Sequence, residues 1–194
     1  MEFYIHRGLI CHLSAPLNAM LKGSQESLEG CVTWEDVNSD VFSRFAQFLY
    51  TGAYTRPALP ENASPSTAGT SQTEPTHHTK PLEQVVSHAK TWVLADKYAI
   101  DLLKDLAYSF LADDLARWTI SPSAFIPDFG RLVRYVYSIR TIGGQQLRRL
   151  VAQFAAHVVK DVPSLDDWET LLEVPGFAVD LIEQIVMRIR QSEV

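Results

Sequence analysis

The stretch from Phe3 to Tyr54 is the most informative part of the sequence for predicting the fold. It reads FYIHRGLICHLSAPLNAML at 3–21, CVTW at 31–34 and VFSRFAQFLYTGAY at 41–54. The segments 2–5 and 31–34 are short and consist mostly of apolar or aromatic residues, so each segment predicts a strand. Between them, apolar residues recur at spacings of three and four, which is typical of one helix face; they are Leu9, Ile10, Leu13, Leu17, Met20 and Leu21. Pro16 either kinks this helix or restarts it, because proline lacks the amide that a helix interior needs.

A second helix is predicted to begin near residue 41 and to end at Gly52. Asn38, Ser39 or Asp40 can cap it, because a short oxygen-bearing side chain satisfies a free amide of the first turn. Glycine suits the other end, since it tolerates the left-handed conformation in which many helices stop. The predicted buried face contains Val41, Phe42, Phe45, Phe48 and Leu49.

The composition changes between residues 55 and 81 to serine, threonine and proline with little to bury, which predicts a mobile surface loop. Helical patterns then return over 82–94, 99–111, 132–137, 147–158, 164–172 and 175–189. The short connection at 96–98 predicts a hairpin of two helices.

Two segments occur in a fixed order around this polar loop. They are the Phe-x-x-Phe-x-x-Phe-Leu-Tyr-Thr-Gly run at 42–52 and HAKTWVLADKY at 88–98. Together with the His-Arg pair at 6–7, they resemble a BTB/POZ domain of the fungal type over about residues 3–116. The resemblance implies an α+β, mostly helical fold. A BTB/POZ-like helical cluster with a small, truncated β-sheet would occupy 1–116, with a loop at 55–81, and a C-terminal helical extension would follow at 117–194.

The resemblance also implies a function, because this family binds other proteins and has no chemistry of its own. Its members dimerise, as a homodimer, or link a partner to a larger assembly. We therefore expect a protein-interaction module whose contact surface lies on the first helix, at Leu9, Leu13, Leu17 and Leu21.

A second hypothesis is a substrate adaptor of a cullin-type ubiquitin ligase. Such adaptors carry a hydrophobic-x-Glu motif after the first helix, and the corresponding residues are Ser24, Gln25 and Glu26. Glu26 supports cullin binding, whereas Ser24 opposes it, because serine fills a desolvated apolar pocket poorly.

The acidic balance excludes several classes of partner. A net charge of -6 argues against a nucleic-acid binder, which would show a basic patch, and against docking on anionic membranes. No apolar run approaches the roughly 18 residues that cross a bilayer, and no secretory pattern opens the chain. We expect a cytoplasmic or nuclear protein in which Cys11 and Cys31 stay reduced.

The residues give no pattern for catalysis, a cofactor or a metal site. His6 is interpreted as a structural hydrogen bond at the junction of strand and helix, and His88 and His157 as packing positions. The acidic pair Asp113-Asp114 lies at a helix end, where negative side chains are common. A hypothesis from another class remains, a hydrolase that uses Cys11 or a serine with one of the histidines.

Overall fold

A computed structural model describes residues 3–23, 34, 37–56, 81–118, 122–141, 143–160 and 165–192. Every regular element within these ranges is a helix. The helices are α1 (Arg7–Leu13), α2 (Ala15–Gly23), α3 (Ser39–Thr51), α4 (Pro81–Lys97), α5 (Asp101–Ala116), α6 (Pro122–Ser138), α7 (Gly144–Val158), α8 (Leu165–Leu172) and α9 (Phe177–Ser192).

The predicted α+β class is wrong for the described part of the chain, which contains no strand and no sheet. Residues 3–5 are irregular, and the Phe3 ring packs on Phe42 with 4.6 Å between centroids. Trp34 is also irregular, and it stacks on Tyr98 at 5.0 Å. These aromatic residues, which suggested strands, cover the helical core instead. The rest of the second predicted strand, 31–33, lies outside the described residues.

Ser14 separates the first predicted helix into α1 and α2. Its backbone is extended, with φ −148° and ψ 123°. Its hydroxyl accepts a hydrogen bond from the Leu17 amide at 3.2 Å and donates one to the Tyr98 carbonyl. Ser14 therefore caps α2, and Pro16 lies in the first turn, where the missing amide costs nothing.

Both predicted ends of α3 are confirmed. The Asn38 side chain accepts a hydrogen bond from the Asp40 amide at 2.9 Å, which makes Asn38 the N-cap among the three candidates. Gly52 ends the helix with φ 74°, and its amide bonds the Phe48 carbonyl at 2.8 Å.

Two apolar clusters form the interior, and the hairpin of α4 and α5 contributes to both. The N-terminal cluster joins α2 and α3 to the hairpin; its buried residues are Leu17, Val41, Phe45, Phe48, Tyr54, Leu94, Ala95, Tyr98, Ile100 and Leu103. The C-terminal cluster joins α6–α9 to the other side of the hairpin, at Val85, Ala89, Trp92, Ala107, Leu111 and Leu115. The predicted boundary at residue 116 coincides with the end of α5, whose buried residues contribute to both clusters.

Gly143, which precedes α7, meets the hairpin at very short range. A Cβ atom at this position would lie 2.6 Å from a carboxylate oxygen of Asp96. Any other residue would force that carboxylate to move, so glycine permits the close approach of α7 to the end of α4.

Candidate functional site

Five polar side chains meet between α3, α4 and α5 and form what we call the His88 cluster: Arg44, Tyr54, Arg56, His88 and Asp114. His88 is fully buried, Asp114 is 2% exposed and Tyr54 is 4% exposed. His88 and Asp114 occur on the apolar faces of α4 and α5, whereas Tyr54 and Arg56 follow α3. The cluster thus ties the end of α3 to the hairpin.

The contacts of His88 define its tautomer. The Tyr54 hydroxyl lies 2.8 Å from Nδ1, and Nη1 of Arg44 lies 3.0 Å from the same atom. Arginine can only donate, so Nδ1 accepts and the ring proton is assigned to Nε2. Nε2 lies 3.2 Å from Oδ2 of Asp114. Neither atom has a well-aligned hydrogen bond, so this contact is mainly electrostatic.

Arg56 closes the cluster on its solvent side. Its Nη2 lies 2.6 Å from Oδ1 of Asp114, and its Nη1 lies 3.2 Å from Oδ2 of Asp113. The guanidinium also sits over the Phe110 ring, 5.0 Å from its centroid. The Arg56 side chain is 20% exposed and the Asp113 side chain is 50% exposed. Arg56 is therefore the charged residue of the cluster that is in contact with solvent.

Burial and charge set the ionisation of the cluster. Burial lowers the pKa of His88, helped by the positive Arg44 and Arg56 and opposed by Asp114. Burial alone would raise the pKa of Asp114, but His88 and Arg56 outweigh it and lower that pKa. Burial also raises the pKa of Tyr54. At neutral pH the cluster therefore contains a neutral imidazole, an ionised carboxylate and a protonated phenol.

A carboxylate, an imidazole and a hydroxyl in a row are the parts of a proton relay. Here, however, His88 and Tyr54 have almost no exposed surface, and both ring nitrogens face protein groups. A general base must come within about 3 Å of a substrate proton. The enclosed cluster is therefore built for holding helices together, not for reaching a substrate.

The stability of the fold should fall with pH below 6.5, the ordinary pKa of histidine. Because the pKa of folded His88 is lower, the unfolded chain binds a proton there that the folded chain does not. This contribution is complete above pH 6.5 and is lost as the pH falls towards the folded pKa, at up to about 1.4 kcal/mol per pH unit. Asp114 adds a further loss only below pH 3.8.

Urea unfolding of the chain and of His88→Gln between pH 8 and 5 would measure this loss. The other five histidines contribute to both curves, so the difference isolates His88. Equal slopes for the two proteins would show that His88 does not titrate differently on folding.

The leucines expected on a contact surface are separated by the fold. Leu17 is fully buried in the N-terminal cluster, because α2 packs on α3 and the hairpin along that side, so Leu17 belongs to the core of the chain. Leu13 and Leu21 are partly buried, and Leu9 is 38% exposed. Ser24, Gln25 and Glu26 lie outside the described residues.

Exposed side chains do gather near the first turn of α1. Tyr4 is 86% exposed and Tyr50 is 51% exposed. The Tyr50 hydroxyl lies 2.8 Å from Nδ1 of His6, which places the end of α3 beside the start of α1 and gives His6 the structural role expected of it. We call Tyr4, Leu9 and Tyr50 the N-terminal patch.

Other chemistry is sparse in the described part of the chain. It holds no group of three or more histidine, cysteine or acidic side chains that could bind a metal ion. Cys11 is half-buried on α1. An open cleft of about 480 Å³ lies between α7 and α9, far along the chain from His88; its lining residues are Gln145, Gln146, Arg149, Asp180, Glu183, Gln184 and Met187.

Sequence reasoning missed Asp114 as part of the cluster, although a signal was present. Leu103, Ala107 and Leu111 recur at spacings of four on the buried face of α5, and Asp114 continues that row. A carboxylate on an apolar face needs a buried partner. The position of His88 on the apolar face of α4 supplies that partner.

No family model and no solved structure matches the chain. A stretch of 77 residues, 36% of this chain, is 31% identical to part of Talin from Oscarella pearsei, of which it covers 3%. The chain therefore spans a very small part of that protein, and the similarity establishes neither a family nor a function. No helix in the described ranges is long and apolar enough to cross a membrane.

Proposed function

We propose that the chain is a protein–protein interaction module of BTB/POZ type that binds partners through its N-terminal patch. The observation that carries the proposal is the exposure of Tyr4, Leu9 and Tyr50 around one short helix. Large apolar side chains grouped at a surface are a common mark of a binding site. The module would act in the cytoplasm or the nucleus, without a cofactor and without catalysis.

The contacts made by the two segments that resemble the BTB/POZ family support this proposal. Tyr54, which follows the Leu-Tyr-Thr-Gly run, donates to His88, the first residue of the second segment. Tyr98, the last residue of that segment, bonds Ser14 and stacks on Trp34. The characteristic residues of both segments therefore hold helices together, as expected of a scaffold that presents a binding surface.

The geometry of the patch also suits binding. The hydroxyl of Tyr50 is fixed by two contacts with His6, one to Nδ1 at 2.8 Å and one to the backbone amide at 3.2 Å. Arg7 donates to the Leu21 carbonyl at 3.2 Å, which holds α1 against α2. A surface that is ordered before binding loses less conformational freedom when a partner docks.

The proposal predicts that Leu9→Asp weakens association at least about tenfold, because a charge replaces an apolar contact in a desolvated interface. Light scattering of the chain, alone and mixed with a cullin N-terminal domain, would measure the mass of each complex. Leu102→Asp is a matched control, since Leu102 is a leucine that is 74% exposed on a helix that does not contribute to the patch.

We expect the chain to form a complex that Leu9→Asp weakens and that Leu102→Asp leaves intact. Complex formation with the cullin domain would make the chain a ligase adaptor, and self-association alone would make it a scaffold. A chain that stays monomeric and ignores the cullin, or equal effects of the two aspartates, would contradict the proposal.

A further inference from the structure

The last helix carries two apolar faces. Phe177, Leu181 and Gln184 are buried against the rest of the protein, and Arg188 bonds the Ala156 carbonyl at 2.6 Å from the same side. The opposite side exposes four apolar residues, which we call the outer seam: Val179 at 69%, Ile182 at 61%, Val186 at 40% and Ile189 at 52%.

The outer seam has the spacing of a helix-pairing surface. Its steps along the chain are three, four and three residues, which is the a/d pattern of a coiled coil. An ordinary surface helix is polar on the side that faces away from its own core. The seam is also made of β-branched residues, which fit the layers between paired helices.

Two charged residues on one edge of the seam indicate what pairs with it. Glu183 and Arg190 are both exposed, and they follow Ile182 and Ile189 directly, so they occupy equivalent positions seven residues apart. Residues at these positions form salt bridges between paired helices and set their orientation.

An antiparallel second copy of α9 satisfies both features. When two outer seams stack in opposite directions, the first layer of one faces the last layer of the other, and each layer is apolar. Side chains lean towards the N-terminus of their own helix. In this register the side chains of Glu183 in one copy and Arg190 in the other lean towards each other. The two-fold symmetry of the dimer produces a second, identical pair at the other end of the seam.

A parallel pair lacks this complementarity. There the residues after Ile182 and Ile189 would face the positions of Ala178 and Ile185, which carry no charge. The charge pattern therefore favours a second copy of this chain in the antiparallel direction over a parallel arrangement.

We propose that α9 pairs antiparallel with α9 of a second copy through the outer seam, with Glu183 and Arg190 forming reciprocal salt bridges. This inference deepens the proposed interaction function, since it names a second copy as one partner. It uses a surface other than the N-terminal patch.

The test measures the mass of the full-length chain by sedimentation at concentrations of about 1–100 µM, a range that covers modest dimer affinities. Ile182→Glu combined with Val186→Glu should leave a monomer with unchanged helical content. Glu183→Arg and Arg190→Glu should each raise the dimer dissociation constant, by about threefold or more, because like charges then face each other at both ends. The double exchange, Glu183→Arg with Arg190→Glu, should restore dimerisation.

A monomeric chain over the whole range would overturn the inference, as would a dimer that the seam glutamates leave intact. Single reversals without effect would exclude the antiparallel register. Leu9→Asp separates this inference from the proposed function. If that variant alone dissolves the assembly, the seam is not the interface; if only the seam variants do, self-association does not require the N-terminal patch.

Discussion

Replacing Asp114 by alanine is expected to lower the free energy of unfolding by about 3 kcal/mol. Asp114 faces Arg56 and His88 at 2.6 Å and 3.2 Å, and its side chain is 1% exposed. Its loss leaves buried donors without an acceptor and removes the buried negative charge beside Arg44 and Arg56, so that Arg56 keeps only the exposed Asp113 as a partner. The value lies at the lower end for a broken buried pair, because Arg56 is 20% exposed and can turn towards water.

Asp113→Ala is the matched control for this experiment. Asp113 contacts the same guanidinium at 3.2 Å, but its side chain is 50% exposed. A salt bridge in contact with water contributes only about 0–1 kcal/mol. Urea unfolding at pH 7 should therefore give a much larger loss of unfolding free energy for Asp114→Ala than for Asp113→Ala. Similar losses of unfolding free energy for the two variants would show that the His88 cluster does not stabilise the fold.

The cluster illustrates what could be predicted from sequence and what could not. Helix periodicity and the end of α3 at Gly52 depend only on residues a few positions apart in sequence, and the structure agrees with both predictions. The bond from Tyr54 to His88 joins residues 34 positions apart. Periodicity places both residues on or near apolar faces, but only packing decides which buried polar groups meet.

The predicted strands failed for a related reason. A strand is stable only when a neighbour satisfies its backbone groups, and that neighbour is not visible in local composition. Phe3 and Trp34 have the residue types of strands, yet they pack on Phe42 at 4.6 Å and 5.1 Å between ring centroids. An aromatic residue that covers a helix looks the same in sequence as one in a sheet.

The outer seam of α9 was equally invisible to the sequence analysis. The sequence places Phe177, Leu181 and Ile185 in one apolar row and Ile182, Val186 and Ile189 in another. Periodicity alone predicts a helix with apolar residues in both rows, and it cannot tell which of the two rows faces the core. The structure separates them, since Leu181 is 4% exposed and Ile182 is 61% exposed.

The boundary predicted at residue 116 leads to the remaining prediction, which concerns how the two apolar clusters unfold. Phe45 belongs to the N-terminal cluster and Phe129 to the C-terminal cluster, and both are fully buried. Phenylalanine to alanine in a packed core costs about 3–5 kcal/mol, from lost burial and from the cavity that remains. Each variant should therefore lose about that much stability.

Because α4 and α5 supply buried residues to both clusters, neither cluster can lose its packing without exposing one side of the hairpin. We therefore expect Phe45→Ala and Phe129→Ala to shift one cooperative transition instead of two separate ones. Trp34 lies 5.6 Å from Phe45 and packs on the N-terminal cluster, whereas Trp92, Trp118 and Trp168 belong to or pack on the C-terminal cluster. A Trp34→Phe background therefore reports the C-terminal cluster alone, and the fluorescence that this substitution removes reports the N-terminal cluster. Coincident fluorescence and circular dichroism curves would establish a single folding unit across residue 116. A variant that shifts only the transition of its own cluster would instead make residues 117–194 an independent domain, and the shared hairpin would then be an interface between two domains.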